Sequence, residues 1–321
     1  MNSATDCEPI WQIYREGGAG ALRDVTPVSS RAALYAALLA YAGGELAVAR
    51  VHAARAAEMA PGSVLSQEIG RYLRQDRRDA SLYADGEAFA AFIRGGGNRF
   101  LYERVAEALR GHYRRQGPIR LLDIGVGDGL ALLSALDERV IGAGLVGHVD
   151  LVEPSAPMLA HVTAELERRG VAYTAHHTTL EPFAQKAEGR WDVAQATFSL
   201  QCIPPALRAE GLAWLRRRCD ELLIAEFDAV TFDDEHGPAR AAFLLERYER
   251  GVAEYMEDRT LVAQGFLVPI LIGLFSGGVN QNFEQPVRGW VAACEQAGFS
   301  DVRAERLCGY WWSDAYLVIA R

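Results

Sequence analysis

The stretch Ile119-Arg-Leu-Leu-Asp-Ile-Gly-Val-Gly-Asp-Gly129 constrains this chain more than any other. It runs as an apolar strand into a glycine turn and then into the helical pattern Leu130 to Leu136. A continuous apolar strand is buried on both faces, as in a parallel sheet covered by helices. Glycines at 125, 127 and 129 let the backbone take positive φ and approach a ligand closely, and the helix start beyond them offers free N–H groups. The spacing predicts a turn that holds a ligand.

A dinucleotide fingerprint needs Gly-x-Gly-x-x-Gly with the pyrophosphate on the helix N-terminus. Here the third glycine comes one residue early, and Leu130 stands where that motif needs glycine. Asp123 and Asp128 flank the turn; carboxylates there repel a pyrophosphate and suit an ammonium or sulfonium ligand. Leu-Asp-Ile-Gly-Val-Gly-Asp-Gly resembles motif I of the class I S-adenosylmethionine (SAM)-dependent methyltransferases. The resemblance implies SAM as cofactor, S-adenosylhomocysteine as product, and contacts from Asp123, Gly125, Gly127 and Gly129.

A second element agrees. His148-Val-Asp-Leu-Val-Glu153 reads as a buried strand ending in an acid, stopped by Pro154-Ser155 and followed by a helix from Met158 to Arg169. A carboxylate at that strand end can accept both ribose hydroxyls, and Glu153 resembles the family's ribose-binding acid. Pro154 and Met158, just beyond it, are grouped with it as cofactor contacts.

The alternation continues as a doubly wound sheet requires. Val171 to Thr178 reads as the third strand. Thr179 and Leu180 follow where the family places an adenine-side acid, here replaced by threonine, and the resemblance makes them candidate contacts to the adenine edge and face of the cofactor. Trp191 to Pro204 resembles the fourth strand and its loop, which implies that Thr197, Phe198 and Gln201 lie near the transferred methyl. The fifth strand is Glu221 to Phe227; a helix Val287 to Ala297 and strands Ser300 to Leu307 and Trp312 to Ala320 close the sheet. The expected fold is α/β: a seven-stranded, mostly parallel, Rossmann-like sheet with an antiparallel last strand, plus an N-terminal helical cap.

At 321 residues the chain is long for one such core, so extra elements are expected. Residues 1 to about 25 read as irregular, with Trp11 and Tyr14 as anchors. Arg31 to Tyr41, Gly43-Gly44 and Glu45 to Ala60 resemble one tetratricopeptide-like helical hairpin; a single unit cannot form an array. The division is a helical cap at 1–94 and a SAM-binding domain at 95–321, with a helical lid inserted at 231–285. That insertion, about 55 residues, exceeds an ordinary connection and is assigned to substrate specificity. The segment before motif I closes over the methionine end of the cofactor in related enzymes, which makes Tyr83, Asn98 and Tyr102 candidate contacts.

The net charge of −9 argues against a nucleic-acid partner, which needs basic patches. Residues 1–9 are polar and acidic, unlike a secretory signal, and the expected location is cytoplasmic. The uncharged run Thr260 to Phe283 contains an apolar core at 261–275, but Gln264, Pro269 and glycines interrupt it. It reads as a buried helix, a lid or a homo-oligomer interface rather than a membrane span. Five cysteines without Cys-x-x-Cys spacing suggest neither zinc nor disulfides but buried free thiols. His176 and His177, adjacent on a strand, point to opposite faces and cannot share a metal.

The chemistry implied is in-line displacement at a sulfonium methyl, with the protein positioning the acceptor and supplying a base. Glu226 and His236 are the candidate bases and Tyr248 an orienting hydroxyl. Late aromatics, Phe283, Trp290, Phe299, Tyr310, Trp311, Trp312 and Tyr316, suit a flat heteroaromatic acceptor. The architecture also resembles specialised-metabolite enzymes that methylate tryptophan-derived indoles, including the indole carbon next to a diketopiperazine or pyrroloindole ring. A same-fold alternative is an aminopropyl transferase acting on decarboxylated SAM. A different class is a non-catalytic SAM-binding sensor or scaffold that uses the hairpin to hold a protein.

Overall fold

A computed structural model describes residues 4–75, 86–115, 117–276 and 282–321. The chain divides into two compact units, Met1–Arg99 with Phe232–Gln281, and Phe100–Thr231 with Asn282–Arg321.

The second unit is built on a seven-stranded sheet: β1 Ile119–Ile124, β2 Val146–Val152, β3 Tyr173–His176, β4 Trp191–Thr197, β5 Cys219–Phe227, β6 Val302–Cys308 and β7 Ala315–Ala320. Their order is β3-β2-β1-β4-β5-β7-β6, and β7 runs antiparallel to both β5 and β6. Both faces of the central strands are buried, which explains why they read as unbroken apolar runs. Leu121, Val149, Val193 and Leu223 pack into one layer, and Leu122, Val152, Ala194 and Ile224 into the other. Because β1 pairs with β2 on one side and β4 on the other, strand order reverses beside β1. Ligands of open α/β sheets bind at the carboxyl ends of such a pair. β3 is half the expected length; as an edge strand with only β2 beside it, its ends lack a second ladder.

Charge fastens the far end of the sheet. Glu221, 1 % exposed, receives hydrogen bonds from Arg115 at 2.7 Å and Arg321 at 2.8 Å, with His112 at 3.2 Å. Burial opposes its ionisation, but bonds from His112 and Arg321 and their charge outweigh it and hold the carboxyl at about 2. A depressed acid stabilises the fold above its unfolded pKa and loses that contribution as pH falls towards the folded one. Glu221→Gln is expected to remove about 2 kcal/mol at neutral pH, allowing for solvent around the arginines. In urea unfolding the gap should close towards about pH 2; a gap independent of pH would refute the assignment.

The first unit is helical and is assembled from two distant segments. Ser30–Ala42 and Leu46–Met59 form the expected hairpin, and Val64–Arg74 packs on the second helix. Pro238–Ala253 and Val268–Ser276, from the insertion, pack against these same helices. Glu249 binds this pair of segments together: its carboxylate accepts from Ser63 Oγ at 2.7 Å, Val64 N at 2.9 Å and Leu65 N at 3.0 Å. It thereby satisfies orphan donors at a helix start.

Three expectations need correction. The opening segment is not irregular: Glu8–Gly17 is a helix, with a proline in its first turn and Glu8 facing the N-terminal end of the dipole. Met256–Ser276 is one continuous helical run instead of an interrupted one. A π turn at Ala263–Leu267 widens the helix just ahead of Pro269, which relieves the clash that proline makes with the preceding turn. By length and composition this run is long and apolar enough to cross a membrane, and half of its apolar window is buried. Val262, Phe266, Leu271 and Phe275 are buried within the helical unit, so the 261–275 segment spends much of its apolar surface there. Finally, Cys202 is exposed while the other four cysteines are buried and free; it lies on the turn after β4, outside the packed layers.

Candidate cofactor and acceptor site

The glycine turn leaves β1 at Ile124, and Gly125 donates to Val152 O at 2.7 Å, which joins the ends of β1 and β2. Gly125 has φ +66°, and a Cβ there would lie 2.5 Å from Ser199 Cβ. Ser199 in turn donates to Ile124 O at 2.6 Å, so the loop after β4 is latched onto the turn. The helix beyond is only Leu130–Ala135, and Asp128 Oδ1 already accepts from Leu130 N at 3.1 Å.

Glu153 follows β2 and is buried. Its Oε2 accepts from Gly127 N at 2.9 Å and its Oε1 from Ser155 N at 2.8 Å. One carboxylate thus fixes the turn after β1 and the start of the helix Ala156–Arg168. Each oxygen keeps a second lone pair, as a diol acceptor requires.

Asp123, fully inside β1, is held by a relay that the sequence did not disclose. Tyr113 OH donates to Gln195 Oε1 at 2.6 Å, and Gln195 Nε2 donates to Asp123 Oδ2 at 2.6 Å. Burial pushes the Asp123 carboxyl up to about 7, against the Gln195 bond and with help from the Glu153 charge. The unfolded chain ionises near 3.9, so between those values the folded protein holds the extra proton. Stability therefore falls as pH rises from about 4 to about 7, by up to about 4 kcal/mol. Asp123→Asn removes this titration; its stability in urea should gain on that of the parent chain between about pH 4 and pH 8. Parallel pH profiles would contradict this.

Phe198, at the end of β4, has φ +50°, the one positive φ among described non-glycine residues. Strain of this kind costs about 1–3 kcal/mol and persists where the surroundings impose it. Here the surroundings are aromatic. Phe198 stacks on Phe227 at 4.6 Å and 17°, Phe227 on Tyr310 at 5.3 Å and 14°, and Tyr102 meets Phe198 edge-on at 5.9 Å. The ladder continues through Trp311 to Trp312. Thr197 Oγ1 is buried without a partner among the described residues.

Glu226, near the end of β5, is 2 % exposed, and its Oε1 accepts from Gln201 N at 3.2 Å. Burial pushes it well above the ordinary carboxylate range, against main-chain bonds from Gln201 and Leu200 and the pull of Arg208, and with the Glu284 charge adding to the rise. Glu284 accepts from Trp312 Nε1 at 3.0 Å, and burial raises it to about 7. Sequence reasoning named Glu226 and missed Glu284, which sits in an unpatterned link before the helix Val287–Gln296.

The remaining candidates divide by unit. Met158 is half-buried on the helix after Glu153; Pro154 and Thr179 are exposed. Leu180 starts the helix Leu180–Lys186 and is buried in the layer with Ile124 and Leu212. His176 meets Asp150 at 3.1 Å and His177 meets Pro154 O at 2.9 Å. His236 and Tyr248 belong to the helical unit, whereas Glu226 belongs to the sheet unit. The His236 ring bonds to Phe275 O at 2.7 Å and its carbonyl accepts from Tyr35 OH; Tyr248 is buried on the helix Pro238–Ala253. Asn98 is buried in the same unit, bonded to Tyr255 OH at 3.0 Å and Phe92 O at 2.8 Å. Tyr83 lies outside the described residues.

No protein-family model matches the chain, and no curated protein is similar to it. Solved structures are. The CMeT domain of the citrinin polyketide synthase is 12% identical with a TM-score of 0.53, over 99% of this chain and 88% of that one. An O-methyltransferase family protein from Burkholderia thailandensis is 15% identical with a TM-score of 0.48, over 88% of this chain and 72% of that one. A magnesium protoporphyrin IX methyltransferase from Synechocystis, with bound SAM, is 12% identical with a TM-score of 0.47, over 74% and 93%. Strand order, the antiparallel β7 and the first of these likenesses establish the fold as the class I, Rossmann-like methyltransferase fold with added N-terminal helices.

Proposed function

We propose that the chain is a SAM-dependent methyltransferase acting on a small molecule, with an aromatic, indole-type specialised metabolite as acceptor. The observation that carries this reading is Glu153 at the carboxyl end of β2, bonded to Gly127 of the turn after β1 at the point where strand order reverses. Those residues fit the cofactor: Glu153 offers lone pairs to a ribose diol, and the glycines leave backbone room beside it. When bound, SAM supplies a methyl group on a cationic sulfur, which a nucleophile can displace in line. The protein's part is to hold the acceptor against that methyl, exclude water and take up a proton where one is released. Glu226 is the favoured base over His236, because it lies near the end of β5 in the sheet unit, bonded to the loop after β4, while the His236 ring is already engaged with Phe275. The helical insertion is read as the part that sets acceptor choice, and a cytoplasmic location agrees with the reading.

Isothermal titration with S-adenosylhomocysteine, followed by mass spectrometry against indole, phenol and amine acceptors with SAM present, tests this. Binding with a product one methylene heavier is the expected result. Binding without product across the panel would favour the sensor, and absence of binding would refute the cofactor site.

A further inference from the structure

Two acids lie at the ends of the aromatic ladder, Glu226 buried and Glu284 half-buried. At one end Gln201 donates through Nε2 to Phe198 O at 3.2 Å, while its main-chain N–H binds Glu226. At the other end Trp312 donates to Glu284. The acids converge, since Phe283, next to Glu284, donates its N–H to Gln201 O at 2.7 Å, and the N–H of the same Gln201 binds Glu226. Among the described residues neither Glu226 nor Glu284 has an ion-pair partner. The cation whose charge reaches Glu226 is Arg208, which donates instead to Leu200 O, Phe283 O and Gln285 Oε1 while its plane stacks on Trp290 at 4.4 Å.

Carboxylates drawn partly or wholly out of water without a cation are costly and rarely kept without a use. A second observation shows what would use them. Gln201 is 8 % exposed, and its Oε1 is buried without a partner among the described residues. With its acids ionised, the cluster holds more acceptors than the donors of Gln201 and Trp312 can satisfy. A donor-only group with several N–H bonds and a positive charge satisfies all of it at once.

We propose that Glu226, Gln201 and Glu284 bind the protonated amine of the acceptor, so that the substrate class is an aromatic ring carrying a basic nitrogen. This rests on the methyl-transfer reading above. The ladder residues Tyr310 and Trp312 supply aromatic surface for the ring, and an ammonium beside them also gains from their π charge.

The test uses the full-length protein and three probes of similar shape: tryptamine, the neutral indole-3-ethanol and the anionic indole-3-propionate. Their binding is measured by calorimetry with and without S-adenosylhomocysteine, for the parent chain and for Glu284→Gln, with circular dichroism as the check on folding. Expected is roughly tenfold or tighter binding of the amine than of the alcohol, weakest binding of the acid, and a preference cut to about threefold or less in the variant. Cofactor affinity should be unchanged in that variant. Equal affinity for amine and alcohol, or a preference that survives Glu284→Gln, overturns the proposal. If Glu226→Gln weakens binding of SAM but not of S-adenosylhomocysteine and leaves amine preference intact, the acids serve the sulfonium and the proposal also fails. Failure of the methyl-transfer reading shows separately, as absence of cofactor binding; an amine preference measured without cofactor then still decides the fate of the acid cluster.

Discussion

Replacing Glu153 with alanine is expected to lower affinity for S-adenosylhomocysteine roughly a hundredfold, since two hydroxyl bonds to a charged acceptor are worth about 1.5 kcal/mol or more each. The structure adds a second cause. Gly127 N and Ser155 N lose their acceptor together, so the turn that would bear the ligand loosens at the same time. The fold itself should survive with a loss of about 1–2 kcal/mol, because the residue follows the strand and carries no core side chain. Glu153→Gln separates the contributions: it keeps one oxygen for the main chain and weakens the diol contact. Calorimetry reads the affinity and urea unfolding the stability. Unchanged affinity in the alanine variant would remove the anchor of the cofactor assignment.

The second large effect is on stability. Gly125→Ala is expected to cost about 3 kcal/mol in urea unfolding, about 1 kcal/mol for the left-handed backbone and the rest for a Cβ forced against Ser199. Pushing Ser199 away also breaks its bond to Ile124 O. Gly127 provides the internal control. Its φ is similar, +58°, but nothing lies within 4 Å of a Cβ built there, so Gly127→Ala should cost only about 1 kcal/mol. Equal losses at the two positions would show that conformation, not the Ser199 latch, makes this turn need glycine.

Much of the sheet unit was legible because its signals are local. Ile119 to Gly129 carries strand, turn and helix start within one window, and Glu153 is marked by the apolar run that precedes it. The relay from Tyr113 through Gln195 to Asp123 was not legible, since its members are separated by up to 82 positions and none has a telling neighbour. Glu284 was missed for the same reason: its meaning comes from Trp312 and Glu226, on other elements. The late aromatics were noticed, but the ladder needed Phe198 and Phe227 from the ends of two strands to join them. The opening helix at Glu8 was overlooked because turn-forming residues around it outweighed a short amphipathic period. In the 260–276 run, Pro269 read as a break, and only the π turn ahead of it shows how the helix passes through.

The way Glu249 ties the two segments of the helical unit governs how this protein can be made. Its partners Val64 and Leu65 lie 185 and 184 positions upstream. During synthesis the hairpin Ser30–Ala42 and Leu46–Met59 leaves the ribosome long before Pro238–Ala253 exists to cover the neighbouring helix. All five parallel strands are translated in the interval. Contacts of such long range close slowly, and an uncovered apolar face is prone to association in the meantime. The nascent chain should therefore depend on a holding chaperone over that interval, and expression at lowered temperature should raise its soluble yield.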